Sequence, residues 1–422
     1  MSLYPTNKSF FYYFLAVAGS LSTAGASMTL IALSASFYAL DHEGTASSSI
    51  YVLNYFGIGL VGFAGGWILQ RFTAITLGIT GALISAFIVF YLASLPQIQP
   101  ILGLPAIFLI FLINGVDHPN NLRFFNEVIE EKKKMGFFSI KEGATYIFGL
   151  VAPALAAFII KFLGTRTCFI IDGATYILSC LPWILLKKRQ NPNELSPTTS
   201  KANWFVGFQS LIKDRNIRLL NISRLFNNLA YATWMTTLPF FLAKIAQGDR
   251  NIFAQEQGVA TSLVSGGFIL ATLLGTSFAK QSRLMIPMLW TASLLGFGSV
   301  VLLVGSLFAK ETIYISAFFA GIGVYCFRLL GITIGQAITP KKILGAVIVA
   351  GDTVVRGWSF FVSLFAISIF HLHESFELPL PVLGGIIILL SACSLWSPFL
   401  IGKMVKDFVL RNQEEKELVI ED

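Results

Sequence analysis

The chain has 422 residues, 55% of them hydrophobic and only 12% charged, with 39 Phe and a mean hydropathy of +0.73. Soluble globular proteins carry about a quarter charged residues, so this composition excludes a water-facing globule and points to lipid as the solvent. A formal net charge of +8 invites a nucleic-acid reading, but the placement of the basic residues argues against it.

In chain order, the opening MSLYPTNKSF holds one Lys ahead of an apolar stretch too long for a signal-peptide core, so no cleavable leader is expected. Apolar runs near 10–40, 48–70, 72–94, 101–126, 136–162 and 165–186 predict six membrane helices. Each is long enough to cross roughly 30 Å of hydrocarbon. The second ends in GGWILQRFTAI, which carries Gly66 and Arg71. The fourth holds Asp117, beside His118 and ahead of Pro119. It reads as a proton acceptor or substrate contact, or as a capping acid at a helix break. Asp172, toward one end of the sixth, reads first as a packing hydrogen bond.

The longest polar interval follows, residues 187–218. Its Pro, Ser, Thr and Asn content predicts a linker. Beyond it, Trp204, Phe208, Leu211 and Ile212 stand at helical spacing beside Lys213. That pattern suits a short interfacial helix or an extension of helix seven. Six further spans are expected near 216–244, 253–279, 284–308, 312–336, 343–370 and 378–403. The resulting fold class is an all-α membrane protein with twelve transmembrane helices in two six-helix bundles. Residues 1–190 and 216–422 form the bundles, and 191–215 the linker with its short helix.

The second half concentrates ionisable groups. Helix seven carries Arg224, with Asn227, Asn228 and Tyr231 following; helix ten carries Tyr325, Arg328 and Gln336. Helix eleven holds AGDTVVRGW, in which Asp352 and Arg356 are four apart and can neutralise each other on one helical face. Three Arg against one Asp leave two positive charges, and the planar guanidinium fork matches a carboxylate. An anionic, or amphiphilic, small-molecule substrate is the expectation. His371, His373 and Glu374 read as a solvated loop, and the acidic end of the chain as a tail. The four Cys lie in apolar stretches, which argues against a disulfide framework. There is no phosphate loop, Gly-x-Ser-x-Gly or Cys-x-x-Cys, so neither an enzyme nor a metal or organic cofactor is expected.

With both termini on one side, most of the 30 Lys and Arg fall on that side too, including Lys132–Lys134, Lys187–Arg189 and Lys341–Lys342. The opposite segments receive Lys161, Arg166, Lys244, Arg250 and Lys310. This asymmetry places both termini in the cytoplasm and explains the basic charge by topology.

Six plus six helices around a cytoplasmic loop resemble the major facilitator superfamily. Three stretches resemble its bacterial branch of siderophore (enterobactin-type) and macrolide exporters: GVDHPNNLRFFNEVIEEKKKMGFFSIKEGATYIFGLVAPALAAFII, CFIIDGATYILSCLPWILL and FRLLGITIGQAITPKKILGAV. The resemblance implies that helices one, four, seven and ten line a cavity reached by alternating access. Gly66 and Arg71 then match the gate loop between helices two and three, where Gln70 stands in place of the usual acid. Ala152-Pro153 keeps small residues but lacks the glycines of the antiporter motif.

The expectation is a secondary transporter in the bacterial inner membrane. It acts as a monomer in the bilayer, is driven by the proton gradient, and binds no nucleic acid. Arg328, Arg356, Arg224, Asn228, Tyr231 and Tyr325 are the candidate substrate contacts, Asp117 and Asp352 the proton-coupling acids, and Gly66 and Arg71 the gate. The branch resemblance favours export. Import of a ferric siderophore, drug or macrolide efflux, and a non-transporting scaffold or sensor are the alternatives. Single cysteines introduced at Ser196 and Ser375 test the topology. A membrane-impermeant thiol reagent applied to intact cells labels position 375 and spares 196; the reverse overturns the map.

Overall fold

The computed structural model describes residues 6–129, 131–189, 205–278, 284–340, 343–376, 379–402 and 404–406. The helices are α1 (Thr6–Asp41), α2 (Thr45–Arg71), α3 (Ala74–Ser94), α4 (Pro100–Val128), α5 (Glu131–Leu163), α6 (Thr165–Arg189), α7 (Phe205–Lys213), α8 (Arg215–Ala246), α9 (Arg250–Phe278), α10 (Met285–Gly305), α11 (Thr312–Ile338), α12 (Leu344–Phe376) and α13 (Leu380–Ala392). Among the described residues there is no strand, and eleven segments are long and apolar enough to cross a membrane. The twelfth long helix is α8, at 32 residues. Arg218, Arg224 and a series of Asn, Ser and Thr dilute its hydropathy, but at 1.5 Å per residue its length suffices. Large side chains such as Phe87, 74% exposed, and Ile101, 76% exposed, have no place in water and suit acyl chains.

Two compact units emerge: Met1–Ala202 with Leu242–Ser262, and Asn203–Phe241 with Leu263–Asp422. The sequence division places Leu242–Ser262 with the second bundle; here that segment clusters with the first. The expected linker lies largely in 190–204, outside the described residues.

In the first unit α1 packs on α5 and α6, α3 on α4 and α6, and α2 on α4. One end is closed by an aromatic core in which Phe124, Phe125, Phe137 and Trp183 join Leu15, Ala16 and Ile75. Phe124 meets Trp183 edge-on at 4.9 Å, a favoured arrangement for aromatic pairs. Gly78 admits the indole, since a Cβ there would overlap Trp183.

In the second unit α10 packs on α11 and α13, and α7 on α12. The short helix expected near 204–212 is present and distinct from α8. Asp214 separates them, its carboxylate accepting from the Asn216 and Ile217 amides at 2.8 and 3.1 Å. That is an N-cap, which satisfies donors at the start of α8. Leu211 of α7 is buried with Ile217, Val347 and Ala350, while Phe205 and Ile212 stay 51% and 71% exposed. The apolar outer face suits an interfacial position.

Two boundaries differ from expectation. α12 continues to Phe376, so His371, His373 and Glu374 lie in its last helical turns and not in a loop. No breaker intervenes before Pro379. The final span, Leu380–Gly402, is interrupted by a 3₁₀ turn at Cys393–Trp396. Pro398 explains it, because the ring has no N–H for the fourth carbonyl before it and clashes there.

A Cβ on Gly207 would overlap the Ala346 carbonyl. Gly207→Leu is expected to unseat α7 from α12 at a cost of about 1–3 kcal/mol. The measurement is the unfolding midpoint of the purified protein; an unchanged midpoint excludes tight docking of α7.

Candidate functional site

The second unit gathers the deep charges on α8, α11 and α12. Asp352 is bonded directly to Arg224, from α12 to α8. Spacing alone pairs Asp352 with Arg356; the structure instead gives the contact to Arg224, with Arg328 and Arg356 close enough to act on the carboxylate through their charge. Two glycines make this geometry possible. A Cβ on Gly351 would overlap Asn221 Oδ1 and stand 3.0 Å from Arg224 Nη1, and the stem of Arg224 lies beside Gly331. Asn221 holds the guanidinium from the other side, accepting from Nη1 at 3.3 Å. Its own amide donates to the Ile217 carbonyl at 2.8 Å.

The side chains of Arg224 and Asp352 are 19% and 47% exposed. Pairing the two charges lowers their cost in hydrocarbon. Around it, Asn228 donates to the Ser359 hydroxyl, and the Tyr231 hydroxyl lies within the field of both Arg356 and Arg328. Arg224, Asn228, Tyr231, Arg328, Asp352 and Arg356 thus belong to one neighbourhood. Tyr325, three residues before Arg328 on α11, is 8% exposed and its ring lies 5.2 Å from that of Phe268. Asn221, Ser359, Gly331 and Gly351 were not singled out from sequence. Their role is to position the charges, and single polar or glycine residues in an apolar helix carry no signal of that.

In the first unit, α4 runs unbroken through Pro105 and Pro119. Asp117 therefore caps no helix end; it sits mid-helix and accepts from the Asn121 amide at 2.7 Å. Lys141 of α5 acts on it through charge and is paired with Glu142 at 3.4 Å. Glu142 in turn accepts from the Tyr146 hydroxyl at 3.0 Å. Lys141, not singled out from sequence, lies at the start of the membrane span Ile140–Leu163. Ser20 links α1 to this group through the Thr145 hydroxyl at 2.9 Å. Asp172 is fully buried on α6.

At the loop after α2, expected from sequence to act as a gate, the surroundings of Gly66 are outside the described residues, and Arg71 is exposed. The residue that secures the loop is Arg123 of α4. Its guanidinium donates to the Leu69 carbonyl and, at 3.3 Å, to that of Phe72, meeting the orphan acceptors at the end of α2. Among the described residues no group of three or more His, Cys, Asp or Glu could hold a metal.

A family model for the Major Facilitator Superfamily matches residues 15–363. No curated protein matches the sequence. Solved structures do match in fold. A POT family transporter in complex with 5-aminolevulinic acid has a TM-score of 0.70 at 14% identity, covering 93% of this chain and 96% of its own. A point mutant of the nucleoside transporter NupG gives 0.68 at 13%, covering 93% and 99%. The POT family transporter PepTSo gives 0.73 at 12%, covering 96% and 99%.

If Asp352 is bonded to Arg224, losing one partner strands the other. Arg224→Gln and Asp352→Asn are each expected to lower the unfolding midpoint, and the double substitution to recover most of the loss. The expected coupling is about 0.5–3 kcal/mol in a double-mutant cycle. Strictly additive effects would dissolve the pair.

Proposed function

Because the chain belongs to the Major Facilitator Superfamily, it is a multi-pass membrane transporter, and we propose that its cargo is a small organic anion, siderophore-like in chemistry, moved outward across the bacterial inner membrane by alternating access. The observation that carries this reading is the convergence of Arg224, Arg328 and Arg356 on the single acid Asp352. Three guanidinium groups gather there around one carboxylate, beside the hydroxyl of Tyr231 and the amide of Asn228. Guanidinium forks bind carboxylates bidentately, and in a low-dielectric setting an excess of fixed positive charge rejects cations. A pump for cationic drugs would need the opposite surplus. The outward direction is supported by the branch resemblance of the sequence, and the cytoplasmic position of both termini by the distribution of Lys and Arg.

The driving force in this proposal is the proton gradient, with Asp117 as the exchanging group. It lies on α4, is half-buried, and is bonded to a neutral amide and not to a guanidinium. Lys141 supplies a nearby positive charge that can balance the carboxylate while its proton is away.

Two experiments test the parts separately. Arg328→Gln added to the charge-neutral Arg356→Gln/Asp352→Asn protein is expected to cost at least tenfold in affinity for a carboxylate-bearing cargo, read by binding to the purified protein. Unchanged affinity in that well-folded triple variant removes these arginines from the site. Asp117→Asn is expected to keep cargo binding and lose acceleration of flux by an imposed pH gradient in proteoliposomes. Wild-type pH dependence in that variant moves the coupling elsewhere, with Asp352 next in line.

A further inference from the structure

One cleft in the first unit belongs to no part of the function proposed above. It holds about 220 Å³ and lies between the ends of α1, α3, α6 and α9. Leu92 and Phe169, both fully buried, form its apolar side, and Gln97, Thr165, Arg166 and Arg250 bring hydrogen-bond donors to it. Among the described residues no acid lines it, and all of its residues fall within the first compact unit. The volume is room for about seven waters at about 30 Å³ each. It falls below the roughly 300 Å³ at which sites for drug-sized molecules begin, so a small group is what fits.

Tight turns deliver both arginines. Gly164, at φ 82°, reverses the chain from α5 into α6, and Arg166 follows in the first turn of α6. Gln247 and Gly248, at φ 48° and 90°, do the same before Arg250, the first residue of α9. This second turn is pinned to α1. The Gly248 amide donates to the Tyr38 hydroxyl at 2.7 Å, and the Tyr38 ring stacks on Phe253 at 4.2 Å. Tyr38 is fully buried, and its neighbours Ala39 and Leu40 line the cleft. The walls are thus set before any ligand arrives, which lowers the cost of binding.

Among the described residues neither guanidinium has an ion pair or hydrogen bond. The acids nearest in the chain are engaged elsewhere. Asp249 accepts from the Asn251 and Ile252 amides at 2.7 and 3.3 Å, and Asp41 from the Glu43, Gly44 and Ala46 amides at 2.9–3.2 Å. Water can solvate a lone guanidinium. Two of them on one small cleft that no acid lines set up a field that selects an anion, and the first turns of α6 and α9 add their dipoles to it. The donors say which anion. Two guanidinium forks, the Thr165 hydroxyl and the Gln97 amide offer more donors, and more charge, than one carboxylate takes up. A terminal phosphate carries a charge of about −1.5 to −2 on three acceptor oxygens, which matches two arginines. We infer that the cleft lined by Gln97, Thr165, Arg166 and Arg250 binds a terminal phosphate group, either free or borne by a membrane lipid. The cleft shares no residue with the cluster around Asp352, so failure of either reading leaves the other standing.

The test uses the full-length protein and two probes, inorganic phosphate and phosphatidate. In detergent, the unfolding midpoint is followed in sodium phosphate and in sodium chloride at equal ionic strength and pH. In phosphatidylcholine nanodiscs it is followed with and without added phosphatidate. A rise of several degrees in phosphate assigns the site a soluble ligand, and a rise with phosphatidate alone a lipid one; either supports it. Arg166→Gln/Arg250→Gln is expected to keep the wild-type midpoint in chloride, since neither side chain bonds to the described protein, and to lose both rises. Each single substitution is expected to raise the half-saturating concentration of the active probe about tenfold or more. Phosphate also stabilises proteins by exclusion from their surface, and the double variant reads that part. A rise as large in the double variant overturns the site, as does no rise with either probe. Acetate that raises the midpoint as far as phosphate overturns the assignment of a phosphate group.

Discussion

Hydrocarbon offers no hydrogen-bond partner, and nearly every feature of this molecule answers to that. A backbone N–H or C=O left open in lipid costs several kcal/mol, so a spanning segment must close its own bonds as a helix. Side-chain hydroxyls obey the same demand by turning back on their own helix. Ser20, Ser36, Thr80, Thr272 and Thr353 each donate to the carbonyl four residues earlier, at 2.8–3.0 Å. Where a polar group is too large for that, it binds across helices. Trp234 reaches Ser316, Thr236 reaches Ser363, and Ser223 reaches the Ser397 carbonyl that the 3₁₀ turn presents. The Arg224–Asp352 bond is the ionic form of the same rule.

Lipid also removes the ordinary driving force for helix packing, because acyl chains are as apolar as Leu. Close van der Waals approach takes its place, and small residues allow it. A Cβ on Gly267 would crowd the backbone of Phe318 and Ile322, one on Gly321 the Val264 carbonyl, and one on Gly323 the backbone of Ala292 and Gly296. The charge cluster exploits this packing. Arg224 fits because Gly331 and Gly351 give up their side chains to it, and Asp352 can meet it because α12 approaches α8 closely there. The proposed site and the packing share residues, which is why mutations near the cluster must be read with a folding control.

The loop after α2 shows one structural task passing between residues. Gln70 stands where the resemblance leads one to expect an acid, which suggests a loop without its charge-based lock. Arg123, from a different helix, instead holds the Leu69 and Phe72 carbonyls. A lone Arg at the end of α4 looks like a topological charge in sequence; only its reach across to α2 gives it a structural task. Lys141 teaches the same lesson beside Asp117.

The membrane class, the helical spans and the list of deep charges were legible in the sequence, because each rests on a local cost that lipid imposes residue by residue. Apolar run length marks a span, and a charge inside one is conspicuous by its rarity. The same logic made Asp117, Arg224, Arg328, Asp352 and Arg356 visible without any structure. Which charge bonds to which was not legible. Spacing favours Asp352 with Arg356, since four residues along one helix bring side chains together, but a neighbouring helix offers a partner that no single-helix rule can see. The roles of Asn221, Gly331, Gly351 and Arg123 were likewise decided only by the tertiary structure. Their significance lies in what stands opposite them, and the register between helices is set by packing across the whole bundle, not by the local pattern.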